Sequence, residues 1–213
     1  MNLIATSDLL LMFRAIAAEL EEQKDRLSEL DGVVGDADHG VTMALGFAAV
    51  DEALHRGDLG AAEPSAVLNE AAKAFLNAVG ASSGPLYATA FIRAGAAVKG
   101  AAALDRDAVV NMLAAMVKGI QDRGKAERGE KTMIDAWLPA VEAAQAARSA
   151  GKDLAACLKD AVAAAEAGAE ATKSMVASKG RASRLGERAI GHVDPGAASA
   201  VIILGVMARS LGQ

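Results

Sequence analysis

The chain has a single cysteine, Cys157, among its 213 residues, which excludes an internal disulfide and fits a reducing compartment. Aromatic residues make up only 3% of it and hydrophobic residues 53%, so its apolar content is mostly Ala, Leu, Val and Met rather than large core anchors. That composition suits closely apposed helices. Basic charge is also short: 22 Lys and Arg stand against 27 Asp and Glu, a formal net charge of -5, with no basic tract or basic-aromatic face. Nucleic acid and anionic membrane surfaces are therefore poor candidates for the main partner. Met1 to Glu22 lacks the basic start of a signal peptide. The most apolar run, Ala197 to Ala208, falls short of the roughly 18 residues needed to cross a bilayer. The length suffices for a sizeable core, and the expectation is one cytoplasmic domain over residues 1–213.

Apolar residues recur at helical spacing almost everywhere, and no run reads as a strand. Leu9, Leu10, Phe13, Ile16, Ala17 and Leu20 form one stripe continued towards Leu27 and Leu30, with Ser7 or Asp8 as its cap. Met43, Phe47, Val50 and Leu54 form a second, ended by Gly57 and Gly60. Pro64 opens a third at a favoured first-turn position, with Val67, Leu68, Ala71, Phe75 and Leu76. A fourth helix is expected from about Pro85 to Val98. The fifth starts at Asp105 or Asp107 and carries Val109, Met112, Leu113, Met116, Val117 and Ile120. A sixth over Met133 to Arg148, a seventh from Leu154 to about Ser178 and an eighth over Gly196 to Leu211 complete an all-α bundle. Polar, Gly-rich loops at 31–42, 80–85, 123–132 and 179–196 follow alternate helices. In an up-and-down bundle alternate connections share one end, so these four should converge on one rim.

The first of these loops carries the strongest chemistry. Asp31, Asp36 and Asp38 lie in a stretch with no Lys or Arg between Arg26 and Arg56. Two carboxylates about 4 Å apart repel by roughly 4 kcal/mol at an effective dielectric of about 20, so three gathered together call for a counter-charge. Hard oxygen ligands suit Mg²⁺ or Ca²⁺, although Asp and Gly are also ordinary helix caps. An EF-hand is excluded, because Val41 and Phe47 stand where its glycine and glutamate would be if Asp36 were the first position.

The second loop, Gly80-Ala81-Ser82-Ser83-Gly84-Pro85, is either a plain helix hairpin or a phosphate cradle of backbone N–H groups and hydroxyls. The third, Gly124 to Thr132, fails as a P-loop: one extra residue separates Gly129 from Lys131-Thr132, and no strand precedes it. A solvated charged loop is its ordinary reading. In the fourth, Arg181, Arg184 and Arg188 either meet phosphate oxygens or pair with nearby acids. His39 and His192 sit in polar loops, where capping or surface hydrogen bonding is commoner than catalysis, and Trp137 has the spacing of a core residue.

Together, LDGVVGDADHG (Leu30 to Gly40), GPLYATAF (Gly84 to Phe91), RGKAERGEKTMIDAWLP (Arg123 to Pro139) and GRASRLGERAIGHVDPG (Gly180 to Gly196) resemble the nucleotide-binding L subunit of dihydroxyacetone kinases. The likeness runs from the first helix to the last. It implies an eight-helix, up-and-down antiparallel barrel with the nucleotide held at one rim. It also implies that Asp31, Asp36 and Asp38 hold two Mg²⁺ ions on the phosphates of ADP or ATP, with these aspartates and Arg181 as the catalytic set. His39, Gly40, Val41, Thr42, Ser82 and Ser83 would line the phosphates, Gly124 and Met133 the adenine, and Arg181, Asp194, Pro195 and Gly196 the remainder. Here the second loop reads GASSG where the family tends to GGASG, and Arg128-Gly129-Glu130 stands where Pro-Gly-Asp is frequent. The implied activity is phosphoryl transfer to a small ketose or aldose held by a separate K subunit. The nucleotide is either ADP recharged by a phosphocarrier protein or exchanging ATP. A non-catalytic adenine-nucleotide-binding module that docks a protein partner is the alternative.

Overall fold

Helical spacing becomes helix along most of the chain in the computed structural model, which describes residues 3–212. The ends of the expected 1–213 span, Met1, Asn2 and Gln213, lie outside the described residues. The described α-helices are α1 (Thr6–Glu22), α2 (Lys24–Val34), α3 (His39–Arg56), α4 (Pro64–Ala78), α5 (Ser83–Ala97), α6 (Arg106–Gly124), α7 (Ile134–Ser149), α8 (Leu154–Ala171) and α9 (Pro195–Leu211). Among the described residues the one β feature is an isolated bridge between Ile4 and Leu104. The all-α reading holds.

Helix α1 packs on α3, each helix from α3 to α8 packs on its successor, and α9 returns to α1, so these eight form a closed ring of neighbours. Helix α2 lies against α3 and α9. The stripes read from spacing face inward: Met43, Phe47, Val50 and Leu54 on α3 are buried, as are Val109, Met112, Leu113, Met116, Val117 and Ile120 on α6. The few aromatics are concentrated. Phe13, Phe47, Phe75, Tyr87 and Phe91 meet in one cluster, mostly edge to face at centroid distances of 5.2–6.2 Å. Trp137 is fully buried, as its spacing predicts.

The structure corrects several boundaries. The first stripe is two helices separated at Gln23, whose φ of -89° and ψ of 2° bend the chain while its N–H still donates to the Glu19 carbonyl. The bend lays α2 against the start of α3, where Gly40 is packed so tightly that a Cβ would overlap the Lys24 carbonyl oxygen. Ser7 and Asp8 do not cap α1 from outside. Asp8 lies in the first turn and accepts from the N–H of Ala5 at 2.8 Å. Asp105 does cap α6, accepting from the Ala108 N–H at 2.7 Å. The seventh expected helix stops at Ala171, not Ser178, because Thr172 is buried and spends its carbonyl and hydroxyl on tertiary bonds.

Candidate functional site

The acidic segment is mostly helix rather than loop. Helix α2 continues through Asp31 to Val34 and α3 begins at His39, leaving only Gly35–Asp38 as the turn. Asp31 thus stands on the last turn of one helix facing the start of the next. One of its carboxylate oxygens accepts from the N–H of Asp38 at 3.0 Å and of His39 at 3.3 Å. It thereby takes up donors that a helix start leaves without partners. Asp36 and Asp38 make no such cap, and their carboxylates join that of Asp31 in a cluster whose ligand atoms lie within 4.8 Å of one another. Partial burial, and then the charges of Asp36 and Asp31, raise the Asp38 carboxyl above the ordinary carboxylate range. A counter-charge arrives from far along the chain: Arg181 sits 2.8 Å from Asp36. Hard carboxylate oxygens gathered at this spacing, and mutually repelling, fit a divalent cation such as Mg²⁺.

The cluster opens into a cavity of about 680 Å³ lined by all four polar segments. Besides the aspartates and Arg181 it presents Ser82 and Ser83 at the start of α5, and Thr42 on α3. A helix start offers backbone N–H donors to an anion. The lining also includes apolar side chains of α5, α6 and α7, among them Leu86, Ile120, Met133 and Ile134. The cavity therefore combines groups suited to phosphate and metal with a surface suited to a flat apolar ring.

The third segment is not the solvated loop that its charges suggest. Asp135, only 2% exposed at the start of α7, accepts from the N–H groups of Gly129 at 2.5 Å and Thr132 at 2.8 Å. Lys131 is 1% exposed, and its ammonium donates at 2.5 Å to the carbonyls of Thr172 and His192. Burial lowers its pKa, against the raising influence of Asp194 and Asp135. Arg128 remains outside, paired with Glu142 at 2.5 Å.

Asp194 caps α9, accepting from the Ala197 N–H at 2.7 Å, and burial pushes its carboxyl up to about 7. On the same side of the cavity His39 lies 2.9 Å from the Ser199 hydroxyl, and burial lowers its pKa, favouring neutral imidazole. Tyr87, at the centre of the aromatic cluster, accepts from the Trp137 indole N–H at 3.5 Å, and burial lifts its phenol to about 12.

Most residues named from sequence line this cavity: Asp31, Asp36, Asp38, His39 and Thr42 from the acidic region, Ser82 and Ser83, Gly124 and Met133, then Arg181 and Asp194, Pro195 and Gly196. Gly40 and Val41 are not in its lining. Gly40 is buried against α2, and Val41 points to solvent with 53% exposure, because the first turn of α3 rotates successive side chains away from one another. Arg184, Arg188 and His192 are exposed and not in the lining. Lys131, Thr132 and Asp135 were missed. The positive φ of Lys131 and its burial leave no trace in composition, although Asp135 stands three residues after Thr132, a spacing that allows a helix-start acceptor.

A DAK2 domain pattern matches residues 33–209. The chain is similar to the ADP-binding subunit DhaL of a PEP-dependent dihydroxyacetone kinase of Listeria innocua, 39% identical over 196 residues that cover 92% of this chain and 90% of the relative. It is also 39% identical to the PEP-dependent ADP-binding subunit DhaL of Escherichia coli over 189 residues, 87% of this chain and 88% of that one. Its fold resembles the crystal structure of the dihydroxyacetone kinase from C. freundii in complex with AMP-PNP and Mg²⁺. The TM-score there is 0.73 at 28% identity, covering 99% of this chain but only 35% of that longer one. With the motifs, the closed ring of helices and the acidic cavity in agreement, the chain belongs to the DAK2-domain family of which these DhaL subunits are members.

Proposed function

We propose that this chain is the nucleotide-binding, phosphoryl-transferring L subunit of a dihydroxyacetone-type kinase, working with a separate substrate-binding K subunit. The observation that carries the proposal is the cluster of Asp31, Asp36 and Asp38 within 4.8 Å on the wall of a roughly 680 Å³ cavity that also holds Arg181 and serine hydroxyls. Asp31, Asp36 and Asp38 would hold two Mg²⁺ ions. When bound, Mg²⁺ neutralises charge on the transferring phosphoryl group and its leaving oxygen. Ser82, Ser83 and the N–H groups at the start of α5 orient phosphate oxygens. Arg181 turns its guanidinium from Asp36 to the same oxygens. Met133 and Gly124 border the adenine, and Asp194, Pro195 and Gly196 the rest of the nucleotide. Neutral His39, held by Ser199, keeps a proton donor or acceptor beside the phosphates without adding charge.

No nucleophile is asked of this chain, since phosphoryl transfer is mainly positioning and charge stabilisation. The acceptor, a small ketose or aldose, belongs to the K subunit, which would dock at the cavity rim. We further propose that the resident nucleotide is ADP recharged by a phosphocarrier protein, a reading supported by the PEP-dependent and ADP-binding names of the relatives that are 39% identical. The proposed unit is one domain, and its free, buried Cys157 suits the cytoplasm. No helix of the described residues is long and apolar enough to cross a membrane.

The test is to denature the purified protein, identify any released nucleotide, and assay the protein with its K subunit using ATP alone or a phosphocarrier system. Released ADP, and turnover only with the phosphocarrier, is expected. Turnover driven by ATP alone would overturn the phosphocarrier-fed form. Absence of turnover in both, with nucleotide still bound, would leave a docking module instead of a kinase subunit.

A further inference from the structure

We propose that Lys131 is a positioning residue, whose ammonium fastens the segment carrying Arg181 and Asp194 to the rim segment carrying Gly124 and Met133. The proposal rests on the reading of the cavity as a nucleotide site. Its starting point is an arrangement that core packing does not require. The Lys131 side chain is 1% exposed, in a position where a methionine of similar length would fill the space without burying a charge. The backbone there has a φ of +58°, a conformation that non-glycine residues hold only when surrounding contacts impose it.

Those contacts are specific. The ammonium donates at 2.5 Å to both Thr172 and His192 carbonyls, at opposite ends of the segment that contains Arg181. The same ends are already drawn together. The Asp194 N–H donates to the Thr172 hydroxyl at 2.9 Å, and the Gly191 N–H to the Lys173 carbonyl at 2.7 Å. Residues 173–193 therefore form a loop with a closed neck, and Lys131 joins that neck to another segment. The preceding residue grips the loop further along: the Glu130 carboxylate accepts from the Ser178 hydroxyl at 2.8 Å, and its carbonyl from the Ser178 N–H at 3.3 Å. Lys131 is itself anchored from behind, because Asp135 holds the N–H groups of Gly129 and Thr132 on either side of it. A lysine that directs two short bonds at main-chain carbonyls acts on the loop, and through it on Arg181 and Asp194.

The test compares Lys131→Met, Lys131→Arg and, as a core control away from the cavity lining, Leu113→Ala. ADP affinity in excess Mg²⁺ is read by calorimetry on protein first stripped of resident nucleotide, and amide hydrogen exchange over residues 173–193 by mass spectrometry. Lys131→Met is expected to weaken ADP at least tenfold and to raise exchange across the loop. Lys131→Arg, which keeps two donors, should bind within about threefold of wild type, and Leu113→Ala should change neither readout. Lys131→Met with ADP affinity and loop exchange within twofold of wild type overturns the proposal, as does raised exchange without loss of affinity. If wild type fails to bind Mg–ADP, the nucleotide reading falls, and loop exchange alone decides whether Lys131 fastens the segment. Should Lys131→Met not fold, the wild-type protein supplies a second measurement by NMR. Slow exchange of the Lys131 ammonium protons supports the fastening role, and rapid exchange overturns it.

Discussion

At the scale of single residues, three aspartates that look equivalent in sequence have unequal work. Asp31 alone serves two structures, since its carboxylate joins the cluster and also receives the N–H groups at the start of α3. Asp31→Ala should therefore lower stability by at most about 1 kcal/mol, the usual cost of a lost helix cap, offset in part by relief of its repulsion from Asp36 and Asp38, in addition to weakening metal binding. In a chain of this size that corresponds to a drop in Tm of at most roughly 2–4 °C, measurable by melting in EDTA. Asp36→Ala loses an exposed pair with Arg181 and relieves the repulsion it exerts on Asp38, so in EDTA its Tm should change by less. Asp38→Asn should weaken Mg²⁺-dependent nucleotide binding at least tenfold, about 1.4 kcal/mol, in a calorimetric titration. Retained binding would remove Asp38 from the metal set.

Asp194 supplies a pH test at the same scale. Its folded-state pKa is about 7 against an ordinary 3.8, so across that interval the folded protein keeps a proton that the unfolded chain has released. The contribution of this group to stability is thus full below the lower value and declines as pH rises towards the upper one. Asp194→Asn cannot ionise. In urea melts of ligand-free protein its stability relative to wild type should improve between about pH 4.5 and about pH 7. A gap independent of pH would mean that Asp194 titrates normally.

At the scale of elements, close approach decides where helices may touch. A Cβ at Gly40 would overlap the Lys24 carbonyl oxygen, whereas one at Gly180 would meet nothing, although the φ there is +64°. Gly40→Ala should cost about 3 kcal/mol through overpacking and separate α2 from α3. Gly180→Ala should cost only about 1 kcal/mol of backbone strain. Thermal melts of the two variants check the order. Helix positions were legible in sequence because the stripes on α3, α4 and α6 follow a helical period whatever they pack against. The bend at Gln23 and the end of α8 at Ala171 were not. Each depends on a partner distant in the chain: the start of α3 in one case, Lys131 and Asp194 in the other.

At the scale of the whole molecule, the ring of neighbouring helices gathers four loops separated by up to about 160 residues onto one cavity. Ligand binding there should report on global stability, since it favours the folded state alone. Mg²⁺ with ADP at about 100 times its Kd should add about 2.7 kcal/mol, raising Tm by roughly 5–10 °C, as followed by differential scanning calorimetry. Mg²⁺ without nucleotide should raise it less.

Local rules were enough to read the helical stripes, the crowding of aspartates over residues 31–38 and the convergence of alternate loops. Apolar spacing, the missing cations around Asp31 to Asp38 and the up-and-down order of elements are all properties of neighbouring residues along the chain. Tertiary structure alone decided that Arg181 supplies charge to Asp36, that Lys131 is buried, that Val41 faces solvent and that burial raises the Asp194 carboxyl. Those outcomes depend on distance through space and on exclusion of water, and neither quantity exists until the ring of helices has closed.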